Sequence, residues 1–162
     1  MNSRKIRRIT VGGMLAALVA VLTAYVSVPI AGGYFHPGDA MIALSSAILG
    51  PYAAIPAAIG SGFADMLAGY TIYAPFTFVI KGLVGLVAGM SIRSGKIGIK
   101  TAALIVISGI IIPAGYFATD LILYGFATAI ASVAWNCLQA AICIATSFAC
   151  RGKGLKRFFE RI

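Results

Sequence analysis

Two charged side chains lie deep within apolar sequence, where they could orient a polar ligand. Asp65 lies late in one apolar segment, Lys81 lies early in the next, and the short aromatic loop 69–75 separates them. Desolvating a charge is costly unless it is paired or hydrated. The pattern therefore allows either an Asp65–Lys81 ion pair between two helices or contacts from either residue to a ligand. We expect this stretch to form one wall of a pocket near one membrane face.

A second set of polar side chains follows a helical step in the last apolar segment. It consists of Thr128, Ser132, Asn136, Gln139 and Cys143. Residues three or four apart share one helix face, and such a stripe in an apolar helix must face the protein interior or a hydrated cavity. Interhelical hydrogen bonding would explain the stripe. We favour a pocket wall, in which Asn136 and Gln139 orient a ligand together with Asp65 and Lys81.

Three connections between apolar segments supply the other candidate ligand contacts. These are Tyr34, His36 and Asp39 around the first, Tyr70 and Tyr73 in the second, and Tyr116 and Asp120 beside the third. Aromatic rings and a few polar groups suit a small, partly aromatic solute. Asp39 also suits the dipole at a helix start, and His36 also suits an interfacial aromatic position. No metal site is predicted, because the single histidine has no partners at ligand spacing, and no cofactor is predicted.

Membrane helices are the elements that must position these residues. Of the 162 residues, 60% are hydrophobic and 10% are charged, whereas soluble domains contain about 25% charged residues. We predict an all-α polytopic membrane protein, a six-transmembrane-helix bundle that forms one domain over residues 1–162. The predicted segments cover residues 9–28, 37–49, 52–68, 75–90, 101–119 and 126–150.

The basic residues indicate which side of the membrane each end faces. All 13 Lys and Arg residues except Lys81 lie in the N-terminal segment, the central loop 91–100 or the C-terminal tail. The positive-inside pattern places both termini and the central loop in the cytoplasm, and connections 34–36, 70–73 and 120–124 outside. Basic clusters at segment ends do not indicate nucleic-acid binding, whereas the C-terminal tail could contact anionic membrane lipid.

Small residues recur along the first segment and could allow another helix to approach closely. One face carries a small residue at every fourth position, and Gly13 and Ala17 lie on a neighbouring face. Such spacing is common at contacts between membrane helices, so the face could pack inside the bundle or dock a partner protein. The residues of this face are Gly12, Ala16, Ala20 and Ala24.

Motifs that would indicate an enzyme are missing from the sequence. There is no P-loop, nucleophile elbow, metal triad or carboxylate pair at catalytic spacing. A membrane enzyme acting on lipid or prenyl substrates would need clustered acids at the cytoplasmic face, where only Glu160 lies. The alternative to solute capture for a partner is a stand-alone secondary transporter. No inverted repeat is clear, but Asp65 could carry a proton.

Two stretches, YFHPGDAMIALSSAILGP and GSGFADMLAGYTIYAPFTFVIKGLVG, carry a family resemblance. Together with the length, the six segments and the basic ends, they resemble an S component of an energy-coupling factor (ECF) vitamin transporter, of the riboflavin-type branch. The resemblance implies capture of riboflavin, hydroxymethylpyrimidine or another thiamine precursor, or a pyridoxine-like vitamin. It also implies a prokaryotic cell membrane, and a transmembrane coupling subunit with two ABC-type ATPases as partners.

The resemblance also assigns roles to particular positions. In the family, an Ala-xxx-Ala face of the first helix contacts the coupling subunit, which here corresponds to Ala16 and Ala20. The family pocket opens outward, and the loaded subunit is expected to carry it across the bilayer by toppling. The corresponding positions here are 34–39, 73–81, 116–120, Asn136 and Gln139.

Overall fold

The structure, a computed structural model, is a bundle of α-helices with one small β-hairpin, and it describes residues 3–30, 33–92 and 98–150. Arg93, Lys96, Glu160 and the basic residues of the C-terminal tail lie outside the described residues, so their predicted placement stays a prediction. In chain order the elements are α1 (Ser3–Tyr25), β1 (Val28–Ile30), β2 (Gly33–Phe35), α2 (Gly38–Leu49), α3 (Ala54–Leu67), α4 (Ala74–Ile92), α5 (Ile99–Tyr124) and α6 (Phe126–Ala149).

The helices have the length and composition of membrane spans. Among the described residues, five helical stretches are long and apolar enough to cross a bilayer, and α2 and α3 form one of them together with the turn between them. Large apolar side chains such as Phe63, Phe78 and Ile110 are exposed on the bundle surface. This surface suits lipid and supports the predicted polytopic helical protein. Six separate spans and cytoplasmic termini stay predictions.

The predicted break at Gly50-Pro51 is a tight turn. Helix α2 ends at Leu49, and a single 3₁₀ turn, Gly50–Ala53, leads directly into α3. Gly50 has a φ of +59°, which a residue with a side chain rarely adopts. The chain therefore passes from α2 into α3 through a turn of four residues.

Two connections differ from their predicted form. The first was predicted as a connecting loop without strands, but β1 and β2 pair antiparallel, with Val28 opposite Phe35. The second correction concerns residues 120–124, which were predicted as an outer loop and form the last turn of α5. This helix continues because the buried Asp120 carboxylate accepts hydrogen bonds from two side chains, and it ends at Gly125, whose φ is +86°.

Helix α4 packs so closely against the turn between α2 and α3 that the backbones of the two elements are in contact at Gly89. A Cβ atom added to Gly89 would clash with the backbone carbonyl group of Gly50. Backbone atoms cannot rotate away as the end of a side chain can. The absence of a side chain at Gly89 is thus required for this contact.

We expect Gly89→Ala to lower the free energy of unfolding by about 1–3 kcal/mol, because the added methyl group must force α4 away from the turn. Thermal unfolding of the purified chain in detergent would measure the effect. Gly13→Ala is the matched control, since Gly13 is exposed and its added Cβ would have no neighbour within 4 Å. Equal unfolding temperatures for wild type and Gly89→Ala would contradict the prediction.

Candidate functional site

A fully buried ion pair joins three helices at the centre of the bundle. The ammonium group of Lys81 on α4 donates to both carboxylate oxygens of Asp39 on α2, at 2.7 and 2.8 Å. It also donates to Oε1 of Gln139 on α6, at 3.3 Å. Lys81 and Asp39 are both 0% exposed, and Lys81 lies 5.2 Å above the ring centroid of Tyr116. The pair is thus a structural connection between α2, α4 and α6.

Of the two alternatives that the sequence left open, the Asp65–Lys81 ion pair is not formed, because Lys81 pairs with Asp39. The carboxylate of Asp39 lies in the first turn of α2, as its predicted role near the helix dipole requires, but Lys81 binds both of its oxygens. Helix α2 packs against both α4 and α6, which brings Asp39 to Lys81. A prediction based on the hairpin of α3 and α4 could not include this third helix.

Asp65 is bound by the β-hairpin instead. The Tyr34 hydroxyl on β2 donates to Oδ1 of Asp65 at 2.5 Å, and the amide of Gln139 donates to the Tyr34 carbonyl at 3.4 Å. The other carboxylate oxygen of Asp65 is buried and has no hydrogen-bond partner among the described residues. The hairpin is therefore tied to α3 and α6, while Asp65 keeps one free acceptor.

A similar tyrosine–aspartate contact lies on the other side of the site. The Tyr73 hydroxyl donates to Oδ1 of Asp120 at 2.6 Å, and the Ser132 hydroxyl donates to Oδ2. The hydroxyl groups of Thr77 and Tyr116 share a hydrogen bond of 3.1 Å. These contacts join the start of α4 to α5 and α6.

Aromatic rings cover this end of the bundle. The rings of Tyr34 and Tyr70 stack with centroids 4.8 Å apart, and those of Tyr73 and Tyr124 stack at 6.0 Å. These contacts bring together the three segments that were predicted to lie on the outer face. At the opposite end of α2, the guanidinium group of Arg8 lies 5.2 Å above the ring of Tyr52.

Beneath the aromatic rings lies a cavity of about 30 Å³, which is room for about one or two water molecules. Most of the predicted ligand contacts line it, and Asp39, Tyr70 and Lys81 do not. Its lining residues are Ile30, Gly33, Tyr34, His36, Asp65, Tyr73, Thr77, Tyr116, Asp120, Ser132, Asn136 and Gln139.

Four of these lining residues were not named individually as ligand contacts, although Thr77 lies in the range 73–81 that the family resemblance assigns to the pocket and Ser132 lies in the predicted pocket-wall stripe. Thr77 could have been found, because it lies four residues before Lys81 on the same face of α4. Ser132 belongs to the polar stripe of α6, which the structure places inside the bundle, with Ser132, Asn136, Gln139 and Cys143 buried. Nothing in the residue types of Ile30 and Gly33 indicates a pocket, and they reach the cavity only because they lie opposite each other in the β-hairpin.

Two titratable groups of the hairpin region are held in their uncharged forms. Burial lowers the pKa of His36 well below its usual value, and the charge of Lys81 lowers it further. The backbone N–H of Gly38 donates to Nδ1 of His36 at 3.2 Å, so the ring proton lies on Nε2. Burial, followed by the Asp65 charge, raises the pKa of Tyr34, which therefore remains a hydrogen-bond donor.

The lowered pKa of His36 predicts a loss of stability in mild acid. Unfolded His36 binds a proton below about pH 6.5, whereas folded His36 does not, so stability falls as the pH decreases below that value. Titration of His36 can change the free energy of unfolding by at most about 1.4 kcal/mol per pH unit. Thermal unfolding between pH 7.5 and 5 would measure it.

The variant His36→Asn tests this assignment, because its side-chain oxygen can accept the same bond from Gly38 without titrating. We expect the stability of the variant to depend less on pH between 6.5 and 5. Identical pH profiles for the variant and the wild type would contradict a role for His36.

Within the described ranges, no group of three or more His, Cys, Asp or Glu side chains is placed to hold a metal ion. The polar groups of the cavity are carboxylates, hydroxyls and amides, which can accept and donate hydrogen bonds. They suit recognition of a polar solute.

The fold and the cavity together define a class: a polytopic helical membrane protein with a polar cavity beneath an aromatic rim. The model of the ECF-type riboflavin transporter S component family matches residues 3–149, so the chain belongs to that family. An S component is a transporter subunit of the vitamin-uptake type and is not itself an enzyme.

Two relatives are similar to this chain over most of its length. The thiamine precursor transporter HmpT of Lactococcus lactis subsp. cremoris (strain MG1363) is 29% identical over 152 residues, which cover 88% of this chain and 84% of HmpT. A protein of Pyrococcus woesei, described as an uncharacterized protein in the gap 3′ region, is 32% identical over 130 residues. That match covers 77% of this chain and 84% of the relative.

Proposed function

We propose that this protein captures a small vitamin or vitamin precursor at the cavity beneath its aromatic rim and delivers it to an ECF importer. The supporting observation is the convergence of the hairpin, α3, α4, α5 and α6 on one polar cavity. Riboflavin is a candidate from the family description, and a thiamine precursor is a candidate from the name of HmpT. Pyridoxine-like vitamins remain a third candidate from the sequence resemblance.

Ligand binding would require the rim to move. A cavity of about 30 Å³ is far smaller than the roughly 300 Å³ or more that a ligand pocket usually provides. The hydrogen bonds from Tyr34 to Asp65 and from Tyr73 to Asp120 connect the two rim segments to the cavity walls. We propose that entry of the solute separates these segments and that groups of the solute then replace some of their contacts.

Delivery would depend on partners that the chain itself does not supply. We propose that α1 docks the transmembrane coupling subunit through Gly12, Ala16, Ala20 and Ala24, and that two ABC-type ATPases drive the transport. These four residues are half-buried, so part of the face packs within the bundle and part remains accessible. The proposed arrangement has six spans and cytoplasmic termini in a prokaryotic cell membrane, and the loaded subunit topples to release its solute.

Mass spectrometry of small molecules retained by the purified chain tests the capture function. We expect a vitamin or vitamin precursor to be retained, and titration of riboflavin, hydroxymethylpyrimidine and pyridoxine to give saturable binding for at least one of them. The chain without partners should bind but should not transport in vesicles. Retention of no such compound and no saturable binding would contradict the proposal, and uptake by the isolated chain would indicate a secondary transporter.

A further inference from the structure

The cavity has an unbalanced charge. Among the described residues, Asp65 and Asp120 are the only acidic side chains that line it, and no lysine or arginine does. Lys81 lies outside the lining, and Asp39 binds its ammonium group through both carboxylate oxygens. His36 accepts a hydrogen bond at Nδ1 and is held neutral. Lys81 is close enough to act electrostatically on Asp65 and His36, but Asp39 compensates its charge. A solute in this cavity would thus meet two carboxylates with no uncompensated cation among the described lining residues.

One of the two carboxylates also has an acceptor that the protein leaves unused. Asp65 is 3% exposed, its Oδ1 accepts from Tyr34, and its buried Oδ2 has no partner within hydrogen-bond distance among the described residues. The Thr77 hydroxyl also interacts with this carboxylate, but its own hydrogen bond within 3.5 Å is with Tyr116. Asp120 differs, because Tyr73 and Ser132 donate to both of its oxygens. Buried polar atoms nearly always have a partner, so Oδ2 of Asp65 indicates a place for a donor group of the solute.

An amide in the same lining offers complementary hydrogen bonding. Asn136 lines the cavity and is 6% exposed. An asparagine side chain can both donate and accept, so it can contact a ring nitrogen or a hydroxyl group. A carboxylate and an amide that line the same cavity therefore favour a heterocycle with an amino group and ring nitrogens.

We propose that the cavity recognises an unphosphorylated nitrogen heterocycle whose amino group donates to Oδ2 of Asp65, and that it rejects the phosphate ester of the same compound. This inference rests on the proposed capture function and specifies its substrate class. A phosphate would lie near two carboxylates and find no lysine or arginine among the described lining residues. Rejection of such a group follows from like-charge repulsion and from the cost of burying an unpaired anion.

Binding to the purified full-length chain tests the inference with three probes: hydroxymethylpyrimidine, its monophosphate and its analogue without the amino group. We expect the monophosphate to bind at least about 100-fold more weakly than the parent compound. The analogue should bind about 10- to 100-fold more weakly, which is the range for a lost hydrogen bond to a charged group. Isothermal titration calorimetry would measure all three affinities on the unmodified chain.

The variant Asp65→Asn tests whether Asp65 is the partner of the amino group. When Tyr34 keeps its donor role, it donates to the amide oxygen and the NH₂ group turns toward the solute, where it opposes an amino donor; in either orientation the variant has lost the negative charge of Asp65. We expect the variant to weaken binding of hydroxymethylpyrimidine by about 10- to 100-fold and to change binding of the analogue much less. Ser61→Ala is the matched control, because Ser61 is also buried and unpartnered on the same face of α3 but does not line the cavity.

Equal affinity for the parent compound and its monophosphate would overturn the inference. So would an equal loss of affinity for the parent compound and the analogue in Asp65→Asn. If that variant does not fold, the affinities of the unmodified chain for the three probes test the inference by themselves. Binding of riboflavin without binding of hydroxymethylpyrimidine would overturn the inference and leave the capture function standing, whereas binding of no vitamin would overturn both.

Discussion

Replacing Lys81 with methionine is expected to lower the free energy of unfolding by about 3–5 kcal/mol, because the substitution leaves the Asp39 carboxylate buried without its partner. Lys81 and Asp39 are both fully buried, and each depends on the other for compensation of its charge. Thermal or denaturant unfolding of the chain in detergent would measure the loss. Lys100→Met is the matched control, since Lys100 is exposed at the start of α5 and its loss should change stability little.

The same ion pair makes a second measurement possible. Replacing both partners, as in Lys81→Met with Asp39→Asn, removes both charges together, so the double variant should recover much of the stability that the single variant loses. A double variant as unstable as the sum of the two single variants would contradict a direct interaction. A single variant Lys81→Met with wild-type stability would contradict the structural role of the pair.

The double substitution Ala16→Leu with Ala20→Leu is expected to reduce copurification with the coupling subunit by at least tenfold. Small side chains let two membrane helices approach closely, and two leucines would hold the partner helix away. Pull-down of the coupling subunit from cells that contain the whole importer would measure the loss. Vitamin binding by the isolated variant should persist, which would show that its pocket is folded.

A control for this experiment lies on the opposite face of the same helix. Met14 and Val21 are exposed, and Met14→Leu with Val21→Leu alters side-chain shape without affecting the small-residue face. We expect copurification of this variant to equal that of the wild type. Undiminished association of the Ala16 and Ala20 variant would argue against this docking face. The exposed residues Gly13 and Ala17 would then be the next candidates.

Helix positions follow closely from the sequence because apolar segments and their ends carry strong local signals. The start of α6 at Phe126 agrees with the prediction, as does the end of α2 at Leu49 before Gly50-Pro51. The end of α5 was placed too early. The sequence places Asp120 in the outer connection, whereas the helix continues to Tyr124, and Tyr73 and Ser132 supply the hydrogen-bond donors that a buried carboxylate needs.

The β-hairpin had no clear signal. Its strands contain only three residues each, and β1 includes Pro29. Short strands gain their stability from packing against other elements, and here Tyr34 and Phe35 contact α3 and α6 through Asp65 and Trp135. Local sequence could not report contacts with residues 30 to 100 positions away.

The sequence alone determined that the chain is a helical membrane protein and which family it resembles. It also identified most of the side chains that line the cavity, because polar residues in an apolar chain are few and must face inward. Only the tertiary structure decided their partners: Lys81 forms an ion pair with Asp39, and Tyr34 donates a hydrogen bond to Asp65. The physical reason is that the sequence of each single helix shows which polar residues must face inward. Which of them form hydrogen bonds with each other depends on how the helices pack.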